Sequence, residues 1–216
     1  MFLLSLLTLA SLASTSPLQR RAVPSDVPQY AIDYAPIVYL YSEDAYRPSD
    51  IGAFLAHTFA ETNYTAIADP PSPLTLDNLG SLNSIDGLNG TEIYLTAHNS
   101  IGKRPKWVKG VQPNSSGATT GAVTCAVIVN NHGAGLVDVY YMYFYAWNQG
   151  TIVLGADYGN HLGDWEHNMV RFQNGTPTAV WYSQHNNGEA FTYDVIDKYE
   201  SIRVSVARFP PPLRTL

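Results

Sequence analysis

The run LVDVYYMYFYAW, residues 136 to 147, constrains the fold more than any other segment of the chain. It combines β-branched and aromatic residues with no proline or glycine, so it reads as a strand. Along a strand, Val137, Val139, Tyr141, Tyr143 and Tyr145 line one face, and Tyr140, Met142 and Phe144 line the other. Apolar character on both faces marks a central strand covered on each side, and core packing outweighs an aromatic platform for sugar or lipid. YAPIVYLY (34–41), TEIYLTAH (91–98) and GAVTCAVIVN (121–130) read as further strands, divided by Pro, Gly and Asn clusters. The apolar spacing of SDIGAFLAHT (49–58), behind Ser and Asp, predicts one short helix, and residues 66–90 are dense in turns. Many strands with little helix and no internal repeat predict a mainly β fold, an antiparallel β-sandwich with a few short helices.

At 216 residues and 45% hydrophobic, the chain can bury one core and reads as a single domain over residues 22–197. Its net charge of −6 lacks the basic face that nucleic-acid binding needs to release counterions, so DNA and RNA are set aside. MFLLSLLTLASLASTS (1–16) has the apolar run and small-residue end of a secretory signal, and is too short to span a bilayer comfortably. Residues 17–21 end on Arg20-Arg21, a dibasic pair of the kind cut during secretion. Acceptor sequons for N-glycosylation stand at Asn63, Asn89 and Asn114, with a fourth at Asn174 weakened by Pro177. These features predict a secreted or vacuolar-lumen protein. Cys125 is the single cysteine and cannot form an internal bridge; its apolar run makes it a buried structural thiol.

The stretch NHLGDWEHNMVRF (160–172) crowds His161, Asp164, Glu166 and His167 into a chain only 14% charged. If it is a strand, Asp164 and Glu166 share a face about 6.5–7 Å apart, a separation that one cation can bridge. Asn174-Gly175 is a strong hairpin signal leading into AVWYS. With a two-residue turn, Gln173 faces Thr176 and His185 falls opposite Asp164; with a four-residue loop it falls opposite Glu166. A bulge or odd loop would break that parity. His161 can swing over the same face from the entering loop. Two carboxylates alone would repel, and a divalent ion removes the conflict, so His161, Asp164, Glu166 and His185 form a candidate metal set. Magnesium, calcium, manganese and zinc remain open. His167 lies on the opposite strand face with Trp165 and reads first as a core histidine, with a supporting metal role as the alternative.

The segments YAPIVYLYSEDAYRPSDI, PSPLTLDNL, VDVYYMYFYAWN and VLGADYGNHLGDWEHNMVRFQNGTPTAVWYSQHNNGEAFTY resemble the fungal vacuolar protein sorting-associated protein 62 family, from about Tyr34 to Tyr193. That resemblance implies a trafficking role. NHLGDWE, with Ser183 and His185 in YSQHNNG, is also similar to the signature of the necrosis- and ethylene-inducing-like proteins, secreted sandwich cytolysins. The similarity implies that His161, Asp164 and Glu166 surround a divalent ion that engages a lipid head group, with Asp157 nearest to the upstream acid of that family. Asn160 and Gly163 depart from the signature, and the paired cysteines are absent. After EAFTYDVI such proteins continue into further strands, so residues 198–216 read as an atypical tail on a C-terminally incomplete sandwich, as from a truncated gene model. Two functions follow. The first is a non-enzymatic protein whose ion organises binding of a lipid head group or glycan, with peripheral membrane contact. The alternative is a metal-dependent hydrolase using His167 or Glu189 as base. Ser183 lacks the Gly-x-Ser-x-Gly frame of a nucleophile.

Overall fold

The computed structural model describes residues 27–85, 90–184, 187–199 and 203–206; the expected leader, the dibasic pair Arg20-Arg21, Asn89, His185 and residues 207–216 lie outside them. In chain order the elements are α1 (Gln29–Asp33), β1 (Ile37–Val38), α2 (Ile51–Ala56), β2 (Thr58–Thr62), β3 (Thr65–Ala66), β4 (Tyr94–Ala97), β5 (Cys125–Gly133) and β6 (Leu136–Asn148). They continue with β7 (Thr151–Val153), β8 (Ala156–Tyr158), β9 (His161–Gln173), β10 (Thr176–Gln184), β11 (Asn187–Thr192), β12 (Lys198–Tyr199) and β13 (Arg203–Val206). Short 3-10 turns span Leu79–Ser84 and Lys106–Lys109.

The fold is mainly β, as the alternating pattern predicts, and its centre is a five-stranded antiparallel sheet in the order β11-β10-β9-β6-β5. The aromatic run is the middle of it, since β6 pairs with both β5 and β9. Asn174 (φ 50°) and Gly175 (φ 77°) take the two left-handed positions of a primed turn, setting Gln173 opposite Thr176. Three smaller sheets surround this one: β1-β13-β12, β3-β2-β4 and β7-β8. The pairing of β1 with β13 is parallel, so part of the segment after Lys198 returns to the N-terminal strand.

One face of the central sheet is closed. Val137, Val139, Tyr141, Tyr143, Tyr145, Val170, Phe172 and Val180 are buried there with Ala31 of α1, and Val38, Tyr193 and Ile196 pack against the same cluster. Apolar area removed from water stabilises this layer by about 25 cal/mol per Å². The Tyr141 hydroxyl donates to the Ala31 carbonyl at 2.7 Å, which satisfies a phenol that burial would otherwise strand. Burial in this layer also pushes the Cys125 thiol up to about 12, consistent with a structural and unreactive cysteine.

The other face is covered at one end only. Phe144 and Ala146 are buried beneath Ile51 and Phe54 of α2, whereas Tyr140 and Met142 are half-buried and Trp165 is 43% exposed. The helix is positioned by Asp50, whose Oδ1 accepts from Ala53 N at 2.6 Å and whose Oδ2 accepts from Val123 N at 2.9 Å. One carboxylate thus caps α2 and ties it to the strand entering β5. Asp50→Ala is expected to cost about 1–2 kcal/mol, read as a lower urea midpoint at unchanged slope. Among the described residues no helix is long and apolar enough to cross a membrane.

Candidate functional site

Asp164 and Glu166 occupy even positions of β9, in register with the core face. Asp164 is opposite Tyr145, Glu166 opposite Tyr143, and Asn168 opposite Tyr141. Further along, the same face carries Val170 and Phe172, so the strand runs from apolar core to acidic edge as it approaches its N-terminal end. Both carboxylates are half-buried. The Tyr145 phenol is raised above its ordinary value, first by burial and then by Asp44, Glu166 and Asp164. Three acids therefore act electrostatically on one buried phenol. Asp44 joins the pair from the loop after β1, where its Oδ1 accepts from Tyr46 N at 2.8 Å. Nothing local in YSEDAYRPSD marks Asp44 as a neighbour of β9, because the contact depends on the packing of that loop over the sheet.

Behind the acids the face stays polar. Asn168 is 1% exposed, and neither atom of its amide has a hydrogen-bond partner among the described residues. The same holds for the Tyr143 hydroxyl, which lies near Asn168 without bonding geometry, and for Trp147 Nε1. Leaving such groups unpaired costs roughly 1–3 kcal/mol each, so a ligand or ordered water at this end would recover free energy.

The other expected ligands are placed less compactly. His161 is exposed at the start of β9, opposite Asn148, and its Nδ1 stands 3.2 Å from its neighbour's carbonyl, Gly163 O. Asp157 in β8 is committed to Arg104, 2.9 Å away, and that guanidinium also lies 5.5 Å from the Trp147 ring centre. His167 pairs with Met142 on the outer face, beside Tyr140 at 6.3 Å, and partial burial lowers its imidazole. His185 lies outside the described residues.

The pairing expected from the tight turn does not continue along β10. After Pro177↔Phe172 the register shifts, so that Ala179 pairs with Arg171 and Tyr182 with Asn168. Thr178 is the extra residue, and its hydroxyl donates to Arg171 O at 3.2 Å. Pro177 brings no N–H to the ladder, a position where bulges are favoured. Beyond the bulge, even residues of β9 meet even residues of β10, and Tyr182 is the residue sharing a rung with Asn168. Among the described residues no three His, Cys, Asp or Glu side chains converge closely enough to enclose an ion. The sequons at Asn63 and Asn114 are exposed. The Asn114 amide is engaged, donating to Thr120 Oγ1 at 3.2 Å.

Fold and site define a mainly β protein with a layered sheet and an acidic, tyrosine-lined edge. The chain belongs to the vacuolar protein sorting-associated protein 62 family, whose model matches residues 7–202. It is 33% identical over 190 residues to the putative vacuolar protein sorting-associated protein TDA6 of Saccharomyces cerevisiae, covering 83% of this chain and 40% of that protein. It is 32% identical over 209 residues to vacuolar protein sorting-associated protein 62 of the same organism, covering 89% of this chain and 45% of that protein. The chain thus spans less than half the length of these curated relatives. No solved structure matches it.

Proposed function

We propose that this protein is a non-enzymatic component of vacuolar protein sorting, in the secretory route or the vacuolar lumen, and that its acidic edge binds a divalent cation through which a lipid head group or glycan is engaged. The observation that carries the reading is the shared core-ward face of Asp164 and Glu166, both half-buried and both acting with Asp44 on Tyr145. A cation bound between these carboxylates would offset the repulsion of like charges on one face. Carboxylates predominate among the donors, which suits a hard ion such as magnesium or calcium that would take most of its ligands from water. His161, at the start of β9, is the further candidate donor; the Thr178 bulge breaks the parity on which His185 was expected to join the acids. Bound there, the cation would supply positive charge to phosphate or hydroxyl oxygens. Asp164 and Glu166 would hold it, and the buried amide of Asn168 and hydroxyl of Tyr143 would order water behind it. The relatives' names support the sorting context, and the apolar run at residues 2–13 supports entry into the secretory route.

Elemental analysis of purified protein after dialysis against buffered calcium and magnesium is expected to show one ion per chain. Co-sedimentation with anionic vesicles should then fall at least tenfold with a chelator or in the Asp164→Asn/Glu166→Gln variant. An ion-free protein that still sediments equally well would overturn the reading. Hydrolysis of a phosphoester or peptide that disappears in Glu166→Gln would replace it with a metal-dependent hydrolase.

A further inference from the structure

The outer face of the central sheet carries an arginine–aspartate pair that the acidic edge does not use. Asp138 of β6 is 2% exposed and stands directly opposite Arg171 of β9. The guanidinium grips it in a fork: Nε donates to Oδ1 at 2.7 Å and Nη2 to Oδ2 at 2.8 Å, while His132 Nε2 lies 2.9 Å from Oδ2. A planar guanidinium held along one edge presents its remaining edge in a fixed direction. That remaining edge, Nη1, has no partner among the described residues, and 44% of the Arg171 side chain is exposed.

The surroundings of Arg171 leave room for a ligand. Its partner on β10 is Ala179; two residues along, on the same face, Met169, Trp181 and Ala190 share a rung across β9, β10 and β11. Two alanines beside a methionine and a tryptophan leave a depression of about 220 Å³, lined by Met169, Arg171, Ala179, Val180, Trp181 and Ala190. The Trp181 indole lies against the backbone of β11 at Gly188, where an added Cβ would fall 2.5 Å from the ring. A glycine at this position therefore lets the indole lie flat against β11, with part of Trp181 still lining the depression.

We infer that this depression binds a small organic anion, a carboxylate or phosphate monoester carried on a flat ring, with Arg171 Nη1 taking the anion and Trp181 and Met169 taking the ring. Asp138 is a positioning residue: it orients the fork and leaves the outward edge free. The ligand is either a free metabolite or the head group of an anionic lipid, and both present the same chemistry to the arginine.

Titration calorimetry of the full chain with phenyl phosphate, phenol and inorganic phosphate tests the assignment. Phenyl phosphate is expected to bind saturably, about tenfold or more tighter than either fragment, and a chelator should leave this binding unchanged, which separates it from the acidic edge. Ala179→Leu fills the depression while keeping both members of the Asp138–Arg171 fork and should weaken binding at least tenfold; Arg171→Lys, which keeps the charge and loses the fork, should weaken it similarly. Competition by phosphatidic acid vesicles, absent with pure phosphatidylcholine vesicles, would assign a lipid source, and absence of competition a soluble one. Equal affinity for phenol and phenyl phosphate, binding abolished by chelator, or wild-type affinity in both variants would each overturn the proposal.

Discussion

Phe172→Ala is expected to destabilise the protein by about 4 kcal/mol, the larger of the two effects with the strongest structural basis. Phe172 is 0% exposed in the closed layer, opposite Val137, with the rings of Tyr30 and Tyr34 at centroid distances of 4.7 and 5.7 Å. Those tyrosines come from α1 and the segment just after it. The phenyl ring is therefore one of the contacts by which the N-terminal segment holds the sheet, beside the Tyr141–Ala31 hydrogen bond. Truncation would remove the transfer free energy of the ring and leave a space that two aromatic side chains on a short helix cannot fill without moving. Typical domains retain only 5–15 kcal/mol in total, so such a loss takes a large share of the margin. Urea unfolding should show a much lower midpoint with a similar slope. Phe191→Ala serves as the comparison, because Phe191 is 39% exposed on the edge strand β11 and should cost less than about 1.5 kcal/mol.

The contrast between these two phenylalanines shows what was legible in the sequence. The alternation of residues 136–147 identified a central strand and the correct inward set, because a buried strand must repeat every second residue and the tyrosines had nowhere else to go. The Asn174-Gly175 turn was legible for a similarly local reason: both residues tolerate positive φ. The register beyond the turn was not. Pro177 interrupts the ladder one residue past the turn and Thr178 bulges, so the rung containing Asn168 holds Tyr182, not the odd-numbered neighbour expected of an unbroken hairpin. Periodicity cannot report a bulge, since the pattern on either side of it remains alternating. The Asp164 and Glu166 pair was legible as two acids on one face. Asp44, by contrast, joins them across more than a hundred residues of chain, and no local spacing encodes that approach. Asp138 and Arg171 were invisible for the same reason: one lies in an aromatic strand and the other follows a cluster of candidate ligands, and only the pairing of β6 with β9 places them opposite each other.

That pairing leads to the second large effect. Arg171→Met is expected to cost about 3 kcal/mol at neutral pH, because it leaves the buried Asp138 carboxylate with only His132 beside it. The double variant Asp138→Leu/Arg171→Met should recover most of the loss, since a buried ion pair is worth little relative to well-packed apolar residues and the penalty arises from stranding one charge. A pH series distinguishes this account from simple loss of packing. The Arg171 hydrogen bond, assisted by His132, holds the Asp138 carboxyl below the usual carboxylate range against the opposing effect of burial. A group whose folded pKa is depressed contributes stability that is fully present above its unfolded value, near 3.9, and is lost as pH falls through the folded value. The wild type should therefore keep the fork's contribution through the range 5–8 and lose it below about pH 4, where the double variant should show no corresponding drop. In Arg171→Met the carboxyl loses its main partner while burial persists, so its pKa rises and the destabilisation should shrink as the solution becomes acidic enough to protonate it. Equal slopes of stability against pH in all three proteins would mean that Asp138 is not held as a charged partner of Arg171, and that the fork contributes packing alone.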